Sequence, residues 1–403
     1  MSGRIDVLVC GAGPAGSATA IHLARMGYRV VVLDRARFPR DKPCSEYLSP
    51  EAVRLLDRIG IVSDLERAGA EPLFGTTVFG ARGSSLTGRF SETPVPPFRP
   101  AGLSVARRIL DQQLVHRARE AGAEVREDAT VEELLYENGA VAGVLLRHSG
   151  GERVSLRARL TVGADGLHSI VARRIGRRRH GFPVRLALVA HVADVPGLTG
   201  IAEMHVGDNG YVGLNRIASG VANVALVVPR LRAREARGDA TGFFLRTLES
   251  FPGVRGRVRP ERLLRRVMVT GPFAAWSGRV VADGALLVGD AADFFDPFTG
   301  EGIHAALKGA ELAAQAAAPG LREDGILTAR RLAAYVTARR RTFLGKWILE
   351  RLVGYGMLVP SLFDRAVGRL EHHGLAHTFI GVTGDYVPAR AVLNPWFLSR
   401  MVW

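Results

Sequence analysis

The chain is short of cysteine, of long apolar runs and of lysine, and each shortage narrows what it can be. Its 403 residues hold two cysteines, Cys10 and Cys44, too few for a disulfide framework. Cys10 falls inside an apolar run that reads as a buried strand, so a reducing cytoplasm is the expected location. No uninterrupted apolar stretch reaches the ~20 residues that span a bilayer. The nearest, Phe343 to Phe363, is broken by Lys346, Glu350, Arg351 and Pro360. It reads as a helix packed on the protein's own core, with peripheral contact to a membrane surface as the alternative. The first strand begins by about Ile5, which leaves no room for a signal peptide. Repeats and low-complexity tracts are also absent.

Lysine is the third shortage. Of 54 Lys+Arg only Lys42, Lys308 and Lys346 are lysines, and against 39 Asp+Glu the net charge is +15. The arginine fork suits phosphates and carboxylates. The bland account is a solvated cation written as arginine throughout. The functional one is a positive surface that draws an anionic cofactor, an acidic carrier protein or a membrane face. Nucleic acid is not expected, because no binding module accompanies the arginines. A chain that is 47% hydrophobic and 23% charged is an ordinary globular protein, and its length suits two closely associated domains.

What is present is a set of glycine-rich punctuations at strand ends. Ile5–Cys10 reads as a fully buried strand, GAGPAG turns the chain at Gly11 to Gly16, a helix follows over Pro14 to Met26, and Arg29 to Leu33 is a second apolar strand. Such a unit demands a parallel pair. Leu110 to Ala121 reads as helix. Val125, Thr130 to Leu135 and Val141 to Arg147 read as strands, the last two joined by a turn at Asn138-Gly139. Leu160 to Gly163 is a further strand, ending at GADG. Between Pro183 and Val228 the pattern becomes a meander, Leu186 to Val192, Ile201 to Val206, Tyr211 to Leu214 and Val221 to Val228, which reads as an antiparallel sheet. A helix near Thr241 to Ser250 and a strand at Leu264 to Val269 complete it. Ala285 to Val288 then returns to the first sheet, helices are expected from Gly302 to Ala318 and from Leu332 to Leu352, and the rest reads as a lid or brace.

Each motif supports a different part of one chemistry. In GAGPAG, Gly11 permits the tight turn, Gly13 lets backbone approach a pyrophosphate, and Gly16 lets helix and strand pack closely, with Ala15 beside them as a further cofactor-binding candidate. Phosphates would sit at the helix N-terminus, where free N–H groups favour anions. Asp34, followed by Arg35, ends the next strand, where a carboxylate can accept hydrogen bonds from an adenosine ribose. GDAADFFDPFTGEGI puts Asp290 at the carboxyl end of a strand, in reach of a polyol linker. Gly302 and Ile303 open a helix whose positive end would face a flavin ring, stabilising the charge of its reduced state. Asp165, in GADGLHS, either shapes the flavin site or caps the helix that follows Ser169. The ordered triple points to FAD.

These segments resemble the glutathione-reductase-type FAD proteins that include the class A flavoprotein monooxygenases, flavin halogenases and geranylgeranyl reductases, over roughly residues 4 to 350. The resemblance implies an α/β fold. A discontinuous, Rossmann-like FAD-binding domain would take in residues 1–72, 101–180 and 279–340. An inserted antiparallel substrate sheet would come from 73–100 and 181–278, and a C-terminal helical region from 341–403. It also implies that Arg107, in SVARRILDQQL, lies near the flavin, that Val131 gives a backbone contact to adenine, and that the segment around Cys44, in RDKPCSEYLSP, passes beside the flavin. Relatives carry glycine where this chain has Ser45.

The leading expectation is a monooxygenase that takes electrons from NADPH or NADH, bound transiently, and oxygenates an aromatic, polyketide or isoprenoid molecule through a flavin C4a-hydroperoxide. A geranylgeranyl-reductase-like enzyme acting on C=C bonds stands second, because the Tyr-x-Trp-x-Phe-Pro pattern of its lipid pocket is missing. The nearest segment runs from Gly210 to Asn215. A halogenase lacks its Trp-x-Trp-x-Ile-Pro signature, and a flavin-binding protein without turnover is the remaining alternative. Candidate substrate contacts are Tyr47, Tyr211, Asn215, Phe295 and Phe298, with Glu46, Arg216 and Phe294 beside them. His205 and His304 read as structural, no metal site is expected, and no catalytic acid or base is assigned. The arginines of Arg173 to His180 read as a solvated face, or as a dock for a carrier protein bearing the substrate.

Overall fold

The computed structural model describes residues 4–176 and 178–402. Two large sheets organise it, and the first is parallel at its centre. Ile5–Cys10 pairs in parallel with Val30–Leu33 on one side and with the second half of Arg153–Gly163 on the other. Glu124–Arg126 and Ala285–Leu287 extend it in parallel. These strands are apolar because both faces are covered: one by helices, the other by the strands Ala129–Glu137 and Ala140–His148 and the short helix Ile170–Ile175. Pro14–Arg25, Arg107–Glu120 and Gly302–Leu321 pack on one face around Val7, Val9, Leu160, Val162 and Leu286.

Arg153–Gly163 serves two purposes. Its first half alternates exposed and half-buried residues and pairs antiparallel with Ala140–His148. Its second half is continuously buried and joins the parallel sheet. The hairpin partner Ala129–Glu137 turns at Asn138 and Gly139, both at positive φ, as the Asn-Gly pair predicts.

The second sheet has seven strands, in the order Met268–Thr270, Arg185–Ala193, Val221–Pro229, Gly210–Ala218, Ile201–Gly207, Gly75–Phe79 and Ser85–Arg89. All pairings are antiparallel except Ile201–Gly207 with Gly75–Phe79. The meander expected after Pro183 is therefore present, and it recruits two strands from far upstream. The strand expected over Leu264 to Val269 is shorter and later, Met268–Thr270, with an isolated bridge between Leu263 and Val192 before it.

One face of this sheet carries the helix Ala240–Leu248. The other meets the C-terminal helices Ala333–Gly356, Pro360–His372, Ala376–Thr383 and Pro395–Val402. Leu349, Val353, Phe379, Ile380 and Phe397 pack there against Val78, Leu86 and Phe298. The C-terminal segment is thus a brace. The α/β class with a central parallel sheet, a second antiparallel sheet and C-terminal helices is the one the sequence predicts.

Candidate functional site

Four strands of the parallel sheet end together, and each leads straight into one of the sequence motifs. Gly11 takes φ +98°, and a Cβ there would lie 2.5 Å from the Ala164 carbonyl oxygen. A Cβ on Gly16 would lie 1.8 Å from the Gly11 carbonyl oxygen. Both glycines are therefore demanded by backbone already in place. Gly13 differs: an added Cβ meets only the Arg107 and Arg40 guanidinium nitrogens, each 3.8 Å away. It forms an open notch walled by two cations.

The Asp34 carboxylate accepts the Ala12 amide at 2.7 Å and the Ala36 amide at 2.9 Å, so it braces the glycine turn. Arg35 is exposed beside it. The Ala129 amide donates to the Asp34 carbonyl at 2.9 Å, which brings the strand bearing half-buried Val131 to this end of the sheet. Ala15 is buried and faces Gly289, where a Cβ would lie 2.9 Å from the Ala15 methyl. The first and third motifs are thus in contact.

The cations over Gly13 are held by one carboxylate. Asp111, fully buried, accepts Arg107 Nε and Nη2 at 2.8 Å and Arg40 Nη1 at 2.8 Å. Burial alone would weaken the charge on Arg107, but Asp111 and Cys44 beside it hold it firmly protonated. The Lys42 ammonium reaches the same region, 3.4 Å from where a Gly166 Cβ would stand. Its pKa is lowered by burial and by Arg107, against the pull of Asp290.

Asp290 lies in a short turn over Gly289–Ala291 that Arg178 clamps by donating to the Asp290 and Ala291 carbonyls. Among the described residues the Asp290 carboxylate has no hydrogen-bond donor. Burial raises its pKa, and Lys42, Arg107 and Arg178 oppose the rise. Asp165 accepts the Ile170 amide at 2.7 Å, and Ser169 accepts that of Ala172 at 2.9 Å, so a capping role is visible for both. Cys44 is half-buried, and its carbonyl and that of Ser45 accept Asn223 Nδ2 at 3.1 and 3.0 Å. Gly302 and Ile303 open the helix Gly302–Leu321, whose first turn has no side-chain cap.

Beside this lies a narrow cavity of about 60 Å³, between the antiparallel sheet, the Pro297–Gly300 loop and the helix Ala376–Thr383. Val78, Met204, Leu214, Ala225, Phe379 and Ile380 make it mainly apolar. Tyr47, Asn215 and Phe298 line it, as does Ser45. The Tyr47 ring lies against Gly300, 2.8 Å from a Cβ placed there. Its hydroxyl has no hydrogen-bond partner among the described residues. Burial, then Asp385 and Glu301, push its pKa well above the ordinary phenol value, so it stays protonated. Asn215 Nδ2 donates to Ser104 at 3.0 Å.

Two of the expected contacts lie elsewhere. Tyr211 is buried behind the wall, its hydroxyl donating to Asp296 at 2.6 Å, where Arg185 also binds at 2.6 Å. Phe295 faces the opposite way, under Gly354 and the Arg351 guanidinium. Phe294 packs on Phe273, and Arg216 pairs with Glu71 at 3.3 Å. Glu46, in place of lining the cavity, accepts the Arg107 amide at 2.9 Å and meets His191 Nε2 at 2.7 Å. His205 pairs with Glu203 at 2.8 Å, and His304 Nδ1 lies 2.9 Å from Asp385.

Of the Arg173 to His180 run, Arg177 lies outside the described residues. Arg173, Arg174 and Arg178 already bind the His168 carbonyl, Glu133 and the Asp290 turn. Sequence reasoning passed over Arg40, Lys42 and Asp111. Asp111 stands four residues after Arg107 on a helix, a spacing that signals such a pair.

A family model described as FAD binding domain matches residues 4–344. The chain is 32% identical over 380 residues to digeranylgeranylglycerophospholipid reductase 2 of Methanothermobacter thermautotrophicus, covering 91% of each chain. It is 33% identical over 323 residues to menaquinone reductase of Mycobacterium tuberculosis, covering 77% of this chain and 76% of that one. Among solved structures, a flavin-dependent brominase superposes with TM-score 0.81 at 21% identity over 96% of this chain and 94% of its own. That likeness is one of fold.

Proposed function

Because the chain belongs to the FAD-binding-domain family of FAD-dependent oxidoreductases, we propose that it reduces carbon–carbon double bonds in a lipid-like isoprenoid substrate. The observation that carries this reading is the apolar cavity against the Pro297–Gly300 loop, which contains one unpaired, neutral phenol at Tyr47. The reductases that match most of this chain are named for a digeranylgeranyl lipid and for menaquinone, which supports a long hydrophobic substrate. Hydroxylation, the first expectation from sequence, thereby becomes the second reading. In its favour stands the strand Gly210 to Asn215, which lacks the tyrosine and tryptophan pattern associated with an isoprenoid pocket.

The residues present fit FAD. The notch at Gly13, with Arg107 and Arg40 over it, suits a pyrophosphate. The free carboxylate of Asp290 suits polyol hydroxyls, and Asp34 keeps lone pairs for a ribose. Val131 and Arg35 would border the adenosine, Ala15 and Gly16 the phosphate turn, and Cys44, Asp165, Gly302 and Ile303 the flavin end. FAD, when bound, supplies two-electron chemistry. NADPH or NADH is proposed as its reductant, meeting the protein transiently. The domain division expected from sequence is kept as part of this reading.

The protein's own part is positioning and proton supply. Val78, Met204, Leu214, Ala225 and Ile380 would hold an apolar chain and exclude water from the double bond. Two electrons and two protons must add across that bond. With both electrons and one hydrogen arriving at one carbon as hydride from reduced FAD, Tyr47 Oη would donate the other proton to the second carbon and be reprotonated from solvent. Burial and the neighbouring carboxylates keep the proton on Tyr47 and make it a weak acid, so it would give the proton up only as negative charge develops on the alkene carbon beside it.

The test is single-turnover reoxidation of the reduced holoenzyme. In Tyr47→Phe the rate with a geranylgeranyl lipid under anaerobic conditions should fall on the order of 10²-fold or more, the contribution expected of a general acid. Reoxidation by dioxygen should not change. An unaltered anaerobic rate would remove Tyr47 from the reaction. Failure of the wild-type protein to be reoxidised by any isoprenoid lipid would remove the reductase reading itself.

A further inference from the structure

The helices Ala333–Gly356 and Pro360–His372 turn two chemically opposite faces to their surroundings. Phe343, Leu349, Val353 and Met357 are buried, the last three in the cluster that contains Tyr47 and Phe298. On the outward side Leu344, Ile348, Leu352, Tyr355, Val359 and Leu362 follow one another at intervals of three or four residues, each between 42% and 49% exposed. On the helix Ala333–Gly356 this spacing lines up Leu344, Ile348, Leu352 and Tyr355 as one stripe, and Val359 and Leu362 add exposed apolar surface on the turn and the helix that follow. Isolated exposed leucines need no explanation, but a continuous apolar stripe on a soluble chain marks a contact surface.

The stripe is bordered by positive charge. Arg340 and Arg341 are exposed at its start and Arg365 near its end. The one acidic residue of the helix Ala333–Gly356, Glu350, points inward to the buried side with Asp293 and Lys346. No helix among the described residues is long and apolar enough to cross a membrane. A second copy would bring the same arginines, and another +15 of net charge, against this face. A layer of anionic headgroups would neutralise them while the apolar side chains enter the acyl boundary.

We propose that this outward face seats the protein on an anionic lipid bilayer, with the helix Ala333–Gly356 lying in the interface. Its inward side packs on the Tyr47 and Phe298 cluster, so the cavity stands one helix away from the lipid. The inference comes from the surface and does not depend on which bond the enzyme reduces.

The experiment is co-sedimentation of the full holoprotein with vesicles of phosphatidylcholine containing phosphatidylglycerol, and with vesicles of phosphatidylcholine alone, without substrate. Wild-type protein should partition onto the anionic vesicles, less so at high salt. The double variant Ile348→Glu, Leu352→Glu should lose at least tenfold in partitioning, with flavin content and gel-filtration volume unchanged. Arg340→Glu, Arg341→Glu should lose the preference for phosphatidylglycerol. The proposal is overturned if wild-type protein ignores both vesicles, or if the glutamate variant binds as well as wild type. It is also overturned if the stripe variant changes the elution volume from dimer to monomer, which would make the stripe a self-association surface.

Discussion

Gly13→Ala separates the cofactor cradle from the fold that carries it. Gly13 has φ −73°, which alanine adopts freely, and the nearest atoms to an added methyl are guanidinium nitrogens at 3.8 Å, ordinary contact distance. The apoprotein should therefore change in stability by less than about 0.5 kcal/mol, as at an unconstrained surface position. A methyl in the notch holds a pyrophosphate away from the helix amides and from Arg107. Losing one such charge-assisted hydrogen bond, at about 1.5–3 kcal/mol, lowers FAD affinity roughly tenfold to a hundredfold, since each factor of ten is about 1.4 kcal/mol. Titration of apoprotein with FAD by fluorescence quenching reads the affinity, and urea unfolding of the same apoprotein reads the stability. Unaltered FAD affinity with unaltered stability would refute the placement of the pyrophosphate. A destabilised apoprotein would refute the reading of Gly13 as open space.

Gly16→Ala should behave in the opposite way: its methyl would sit 1.8 Å from the Gly11 carbonyl oxygen, and an unfolding free energy lowered by about 3 kcal/mol is expected with or without FAD, whereas wild-type stability would contradict the contact. Ala225→Trp fills the cavity wall and should abolish turnover of a long-chain substrate while flavin content stays at the wild-type level; retained turnover would place the substrate elsewhere. Burial raises the Glu350 carboxyl to about 8, with Lys346 opposing and Asp293, Asp296 and Asp385 adding to the rise. A carboxyl whose folded pKa lies above its unfolded value contributes stability fully below about pH 4 and loses it as pH rises through about 8. Glu350→Gln should flatten the decline of the urea midpoint across that window, and a decline as steep as wild type would contradict the assignment.

Much of this was legible because the cofactor motifs are local. Gly11, Gly13, Gly16 and Asp34 stand within one strand, turn and strand, so spacing alone identifies the turn and the steric demands on it. The first half of Arg153–Gly163 was not legible, because its exposed residues Arg153, Ser155 and Arg157 are polar and its other positions only half-buried, and the pairing that makes it a strand comes from Ala140–His148. Tyr211 shows a second limit. Alternation puts it on the sheet, but the Asp296 carboxylate, brought from eighty-five residues away and already paired with Arg185, turns its hydroxyl into the core. Arg40 and Lys42 sit within the segment that points to the flavin, yet their convergence with Arg107 depends on Asp111 at the fold level. The cavity depends on Phe379 and Ile380, which arrive from the C-terminal brace.

The most direct measurement of the central claim is mass spectrometry of a geranylgeranyl lipid after incubation with the holoprotein and NADPH, in parallel with and without dioxygen. The account predicts a product that has gained two hydrogens per reduced double bond, formed equally well without dioxygen. A product that has gained an oxygen atom, and forms only in its presence, would contradict it.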